Sequence, residues 1–414
     1  MQASLALDEI LLDQVKTALH SLVAYCRASD WAGHDPYDAL NSRVFEKLPF
    51  LHSRTPRIIL TQLLKRSPVN VRPALLVPKT QNPKALALFL SAFVKVADAG
   101  IADCGNASTY LAERLVALRS SDQRYWCWGY SFPWQTRTVI VPSGAPNLVC
   151  TTFVADALLD AYEYYGNPQY LTMSTSAAEY IVNNLYWHNG DSVAGFAYPL
   201  PTVRNQVHNA NLLAAALLCR VSRHTGEQKF LSPALAAARF SASRQNPDGS
   251  WRYGEAPSQH FVDNFHTGFN LCALHSIMRE LRSDEFEEHV NRGFRYYRDH
   301  FYLPNGSVRY FHNRTYPIDI HAVAQSIITP AVLSDFSPSN ITLAASVFRW
   351  AMTHMWNARG YFYYRVLRYA TIRIPYMRWS QAWMAHAIAQ LLWTLTKQAE
   401  IARQESFVKT GLTT

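Results

Sequence analysis

Apolar helical text recurs along this chain every 55 to 65 residues, and each recurrence opens on a small polar segment. The openings are Asn82-Pro83 (NPKALALFLSAFVKVA), Asn147 (NLVCTTFVADALLDAYEYYG) and Asn209 (HNANLLAAALLCRVSRHTG), then Asn264 (DNFHTGFNLCALHSIMREL), Asp319 (DIHAVAQSIITPAVL) and Arg378 (RWSQAWMAHAIAQLLWTL). Subtracting these positions gives steps of 65, 62, 55, 55 and 59 residues. Asn and Asp accept hydrogen bonds from the free N–H groups of a first helical turn, and proline fits that turn without losing a bond. The pattern therefore predicts six helices starting at these points.

Helices apolar on every side bury most of their faces. More polar, amphipathic stretches alternate with them near 106–120, 168–186, 228–244, 284–301 and 338–356, and the segment near 8–27 supplies a sixth. Short aromatic segments containing glycine follow most of the amphipathic stretches: WCWGYSFPW (126–134), GFAYPLP (195–201), DGSWRYGEAP (248–257), NGSVRYFHNRTYP (305–317) and GYFYYRVLRY (360–369). Asp-Gly or Asn-Gly before alternating aromatics is a hairpin signal. The repeating unit is an outer helix, an aromatic hairpin-like loop and an inner helix. Six such units closing on one another predict an all-α (α/α)6 toroid, because closure gives each unit's open face a neighbour; an open solenoid is the competing arrangement. The whole chain, 1–414, then reads as one domain: 1–80 an N-terminal helix and extended segment packed on the ring, 81–397 the repeats, and 398–414 a polar tail.

Composition narrows the class. The chain is 49% hydrophobic and 17% charged, which excludes disorder. The formal charge is 39 − 30 = +9, read along the sequence as spread out. Arg292–Arg298 and Arg365–Arg378 mix arginine with tyrosine, but no run of five basic residues occurs. An anionic small or polymeric ligand, or an anionic membrane face, fits better than nucleic acid. The first residues carry Asp8 and Glu9 inside an apolar stretch with no basic start, and no 18-residue apolar window occurs. The expectation is a cytoplasmic protein without a signal peptide or membrane span. The six cysteines form no CxxC pair and read as reduced thiols.

In a closed ring the inner-helix N-termini gather at one mouth, where their N–H groups and positive dipole ends suit anionic or hydroxyl-rich ligands. FVDNFHTGF is the sharpest segment. Asp263 and His266 stand three apart at a helix start, so the carboxylate can orient the imidazole for proton transfer. DIHAVAQ offers Asp319, His321 and Gln325, and VHNAN offers His208, Asn209 and Asn211. GSWRYGE places Trp251, Tyr253 and Glu255 at alternate positions, as on one face of a strand, with Glu255 a candidate acid or base. Trp128, Tyr130, Gln135 and Arg137 form a second aromatic platform ending in a guanidinium. Asn147, Arg378, Trp379 and Gln381 complete the candidate ligand-binding set. Catalysis is assigned to His266, Asp263, His208, Glu255, Tyr253 and Asp319. Nucleotide-binding, zinc-protease and serine-hydrolase motifs are missing, and the histidine spacing matches no metal motif, so no metal or cofactor is expected.

WxGxDPYDALNS (Trp31 to Ser42), KRSPVNVRPAL, WGYSFPWQTR, VHNANLLAAALL, DGSWRYGE, FVDNFHTGFNL and PYMRWSQAWM resemble bacterial polysaccharide-biosynthesis proteins of the Vps type, across essentially the whole chain. The resemblance implies a six-hairpin, glycosidase-like toroid and a role in surface-polysaccharide production. It carries no catalytic residues over. The architecture is also similar to inverting glycoside hydrolases, uronate lyases, N-acylglucosamine 2-epimerases and glucuronyl C5-epimerases. DGSWRY is similar to a terpenoid-cyclase repeat, but the DxDD and DDxxD acid motifs of those enzymes are missing.

The leading expectation is a carbohydrate-active enzyme of surface-polysaccharide assembly, acting on a saccharide or lipid-linked saccharide of anionic character, in peripheral association with a membrane assembly complex. Hydrolysis would use two carboxylates among Glu255, Asp263 and Asp319. Epimerisation or elimination would use His and Tyr with arginine neutralising a carboxylate. A non-catalytic glycan-binding or scaffold protein and a polyprenyl-processing enzyme remain as alternatives.

Overall fold

In the computed structural model, which describes residues 2–121, 123–190 and 193–411, every expected inner segment is a helix. In chain order the α-helices are α1 (Gln2–Ala28), α2 (Arg43–Glu46), α3 (Arg54–Arg66), α4 (Pro83–Asp98), α5 (Gly105–Ala117), α6 (Leu148–Tyr165) and α7 (Pro168–Tyr180). They continue as α8 (His208–Thr225), α9 (Leu231–Ser243), α10 (Asn264–Leu281), α11 (Glu287–Phe301), α12 (Ile320–Val332), α13 (Ser339–His354) and α14 (Trp383–Gly411). Helix α4 packs on α6, α6 on α8, α8 on α10, α10 on α12, α12 on α14, and α14 back on α4, so the inner ring is closed. The outer layer is α5, α7, α9, α11 and α13, each against the inner helix before it, and α1 completes it by packing on α14. The fold is an (α/α)6 toroid. One continuous apolar core links all six units.

Capping sets the starts. Asn82 accepts from the Lys84 N–H, Asn147 from Cys150, Asp263 from His266 and Asp319 from His321. Two starts differ from expectation. Helix α8 begins at His208, which puts Asn209 inside the first turn, and α10 is capped by Asp263 rather than Asn264. The sixth unit enters through a wide π turn, Met377–Ala382, ahead of α14. Helix α14 also runs on through the polar stretch to Gly411, and residues 412–414 of that stretch lie outside the described residues. Pro330 interrupts the bond ladder of α12, and the freed Ser326 carbonyl accepts from the Tyr302 hydroxyl at 2.9 Å.

The aromatic loops reach back over the inner helix preceding them. His208 N–H donates to Tyr253 O, Asn264 N–H to Tyr310 O, Ile320 N–H to Tyr364 O, and Met377 N–H to His34 O. Short ladders hold some loops: β1 (Trp134–Gln135) with β2 (Ile140–Val141), β3 (Tyr186–Asn189) with β4 (Val193–Phe196), β5 (Ile318–Asp319) with β8 (Arg365–Val366) and β9 (Thr371–Ile372), and β6 (Trp356–Asn357) with β7 (Tyr361–Phe362). No strand ladder forms at 248–257 or 305–317, although Tyr302 and Val308 bridge across the Asn305-Gly306 turn as a minimal hairpin. Gly249 and Gly306, both at positive φ, instead turn the chain sharply at the ends of α9 and α11, and the following residues pair with neighbouring loops by single bridges such as Val207–Gly254. All six cysteines are unpaired, and no described helix is long and apolar enough to cross a membrane.

Candidate functional site

Asp263 does two jobs at the start of α10. Its Oδ1 accepts from the His266 N–H at 3.2 Å, capping the helix, while His266 Nδ1 lies 2.9 and 2.8 Å from Oδ1 and Oδ2. The carboxylate is buried, and the His266 side chain is 21% exposed. A carboxylate on Nδ1 fixes that nitrogen as the donor, so Nε2 is the free base of the neutral ring. The ring is wedged between Tyr253, 4.5 Å between centroids, and Phe265, 4.1 Å.

Phe265 links this pair to the next unit. Its ring stacks on His321 at 4.4 Å, and His321 also meets Trp379 and Trp383, each at 4.5 Å. Gly268 permits this approach, since a Cβ there would lie 2.5 Å from Gln325 Cγ on α12. His321 is buried, and neither ring nitrogen has a hydrogen-bond partner among the described residues. Burial first, then Lys84, Arg378 and His266 nearby, pushes its pKa well below the usual histidine value, so the ring is neutral. Asp319 accepts from Trp379 Nε1 at 2.9 Å and pairs with Arg365.

Around this arc stand four half-buried tyrosines, Tyr37, Tyr198, Tyr253 and Tyr310. Burial raises the pKa of Tyr253 and Tyr310 well above 10 and that of Tyr198 to about 12; Tyr37 adds to all three. Tyr198, Tyr253 and Tyr310 are therefore hydroxyl donors at neutral pH. Deeper in the ring, Lys84 Nζ sits 4.0 Å from the Phe153 ring centroid and 5.1 Å from that of Trp383. It makes no ion pair among the described residues, and burial, helped by Arg378, drives its pKa well below the usual lysine value.

Several sequence-predicted residues are therefore brought together: His266, Asp263, Tyr253, Asp319, His321, Trp379 and Arg378, with Tyr130 4.9 Å beneath the Arg378 guanidinium. Others serve elsewhere. His208 points away from the ring axis: Nε2 meets Glu255 at 3.0 Å and Nδ1 meets Ser241 of outer helix α9 at 3.4 Å. Glu255 is 40% exposed at the rim. Trp128 and Trp251 are core side chains whose indole N–H groups donate to Leu115 O and Ser241 O. The run Trp251, Tyr253, Glu255 does not share one setting: Trp251 lies in the core, Tyr253 packs on His266 and Glu255 is exposed at the rim. Asn211 holds the Phe196 N–H, Gln206 and Ser241, and Gln381 clamps both backbone groups of Phe362. Gln135 satisfies its own hairpin turn, and exposed Arg137 reaches toward Ser258 O at the rim.

Of the two guanidiniums expected to meet an anionic ligand, Arg378 is matched by Asp35 through two bonds, while Arg137 makes no ion pair among the described residues. Nearby, Arg365 is matched by Asp319 and Arg72 by Asp38. By contrast, buried atoms in the first turns lack partners among the described residues: Asn147 Nδ2, Asn209 Oδ1 and Gln325 Oε1, besides the two His321 nitrogens. Each unmet buried polar atom costs about 1–3 kcal/mol, so each of these is an atom that a hydroxyl group of a ligand could satisfy. No group of His, Cys, Asp or Glu arranged to hold a metal ion is present among the described residues.

Sequence reasoning missed Tyr37, Lys84, Tyr198, Phe265 and Tyr310. Lys84 carried a readable signal, a lone cation in the first turn of an otherwise apolar inner helix. The loop tyrosines carried none, because only the folded mouth distinguishes them from core aromatics.

No protein-family model matches the sequence, and no curated protein matches it. Solved structures do share the architecture. Cellobiose 2-epimerase from Bacillus thermoamylovorans superposes with a TM-score of 0.62 at 11% identity, over 78% of this chain and 90% of that one. D-mannose isomerase gives 0.58 at 12% over 76% and 87%, and a GH76 alpha-mannanase of Bacteroides thetaiotaomicron gives 0.56 at 10% over 78% and 86%. At these identities the similarity establishes the fold, a six-hairpin toroid of the kind those sugar-acting proteins share.

Proposed function

We propose that this chain is a carbohydrate-active enzyme whose reaction is proton transfer at a carbon of a saccharide, of the epimerisation, isomerisation or elimination class. The observation that carries the reading is His266, held by Asp263 through Nδ1 with Nε2 free at the mouth. A base so oriented removes a proton from a carbon next to a carbonyl, and the raised-pKa tyrosines are hydroxyl donors for the developing oxyanion. Neutral His321, stacked across Phe265, is a second hydrogen-bonding group on the same arc. The architecture shared with a sugar epimerase and a sugar isomerase supports this reading by analogy of fold.

Hydrolysis, the activity class of the GH76 neighbour, needs one carboxyl free to donate a proton and a second across the bond. Here Asp35, Asp38 and Asp319 are each held by an arginine and Asp263 by a histidine, which weighs against it. The same matching favours a neutral, hydroxyl-rich saccharide over a uronic acid. A role in making surface polysaccharide, in the cytoplasm, is the setting the motif resemblance suggests. Purified protein incubated with reducing mono- and disaccharides and with uronic acid oligomers tests the class: epimers, ketoses or unsaturated sugars are expected, and shorter saccharides as sole products would refute the reading.

A further inference from the structure

The positive charge of the chain is not spread out. Residues 43–79 hold eight basic side chains, Arg43, Lys47, Arg54, Arg57, Lys65, Arg66, Arg72 and Lys79, against Glu46 alone, a net of 8 − 1 = +7 out of +9 for the whole chain. Only Arg72 of the eight forms an ion pair among the described residues. The same stretch holds seven of the seventeen exposed large apolar side chains found among the described residues: Val44, Phe50, Ile59, Leu63, Val69, Val71 and Leu76. Phe50 is 74% exposed, Val69 65% and Leu63 62%.

Helix α3, RTPRIILTQLLKR, is where the two features meet. It buries Thr61 and Leu64 against the body of the protein and turns Ile59 and Leu63, one helical turn apart, to the outside. Ile59, Leu63 and Val71 line a shallow groove of about 630 Å³ rimmed by Arg66. No acidic residue lies on the helix. An apolar outer face framed by lysine and arginine is the composition of a helix that lies in the plane of a bilayer, its apolar side chains in the acyl boundary and its cations at anionic headgroups.

We propose that α3 and its flanking segments dock this protein on an anionic membrane surface. Charge complementarity selects that occupant. A second copy would bring one +7 face against another, and like charges repel. The docking face adjoins the mouth: Lys65 Nζ hydrogen-bonds the Tyr37 hydroxyl, Arg57 reaches Gln135, and Tyr37 packs on Trp379 at 5.3 Å. Binding there sets the site beside the headgroups, where the sugar of a lipid-linked saccharide would lie. The inference does not rest on the reaction proposed above.

Flotation of the full chain with vesicles tests it. The expected result is binding to phosphatidylcholine vesicles containing about one-third phosphatidylglycerol, weak binding to phosphatidylcholine alone, and loss at high salt. Ile59→Glu with Leu63→Glu is expected to weaken binding at least about tenfold with unchanged circular dichroism. Should that variant misfold, Arg54→Glu with Arg66→Glu, both exposed, gives the same test through charge. Absence of binding by the native chain, equal binding to neutral vesicles, or native-like binding by a folded variant would overturn the proposal. So would a dimer in solution that either variant dissociates.

Discussion

Arg378 donates through Nε and Nη2 to the two carboxylate oxygens of Asp35, at 2.7 and 2.8 Å, across 343 positions of chain. Both side chains are buried. Beside them Arg72 donates to Asp38 and, at 2.7 Å, to the Tyr376 hydroxyl. These bonds fasten the loop after α1 to the entry of α14, so they seal the ring at the mouth. They also commit the Arg378 guanidinium edge that an anionic substrate would need.

Asp35→Ala leaves a buried guanidinium unpaired and is expected to lower stability by about 3–5 kcal/mol. Urea unfolding followed by circular dichroism checks it. Replacing both partners, Asp35→Leu with Arg378→Met, is expected to cost much less than the single change; an equal loss would mean that packing, not charge, holds this seam.

Asp263→Asn separates capping from catalysis. Asparagine caps a helix about as well as aspartate, so stability is expected to change by less than about 1 kcal/mol. It cannot stabilise an imidazolium, so turnover is expected to fall about 100- to 10,000-fold. Turnover near the native value in a stably folded Asp263→Asn protein would remove the catalytic role of the pair.

Lys84 lies in an aromatic box without a carboxylate partner among the described residues. A buried amine of this kind does not stabilise the fold, so Lys84→Met is expected to leave the melting temperature unchanged or higher. A drop corresponding to more than about 2 kcal/mol would show that the amine has an anionic partner in solution.

Four buried histidines set the acid limit. Burial lowers the pKa of His34 to about 4 and of His386 to about 3, and it also lowers His208 and His321. Each is neutral in the fold while its unfolded counterpart takes up a proton below about 6.5, so stability is full above that pH and falls as pH drops. Asp38, held up at about 6 by burial, takes up a proton in the fold over the same range and offsets one of the four. His289 and His312 shift the same way, so stability is expected to fall between pH 6 and 4 by about 1.4 kcal/mol per pH unit for each net proton taken up on unfolding. Urea midpoints across that range check it; a flat profile would contradict the neutral histidines.

The ring was legible because its signals are local. Inner helices announce themselves by apolar text behind an Asn or Asp cap, and Asp263 with His266 needs only a spacing of three. What the sequence hid depends on contacts between distant segments. The Asp35–Arg378 seal spans nearly the whole chain, so Arg378 looked free to bind a ligand. His208 resembled His266 in its setting, yet it is the first residue of α8 and meets Glu255 and Ser241, whereas His266 is the third residue of α10 and is held by Asp263. Trp251 and Tyr253 looked alike, yet one lies in the core and the other packs on His266.

Solvent isotope exchange reads directly whether His266 moves a proton at a sugar carbon. The native protein is incubated in deuterated water with a reducing sugar that it converts, and the recovered sugar and product are read by mass spectrometry and NMR. One deuterium is expected at the carbon next to the carbonyl with the native chain, and none with His266→Asn at matched stability. Conversion without incorporation at carbon, or full incorporation by His266→Asn, would contradict it.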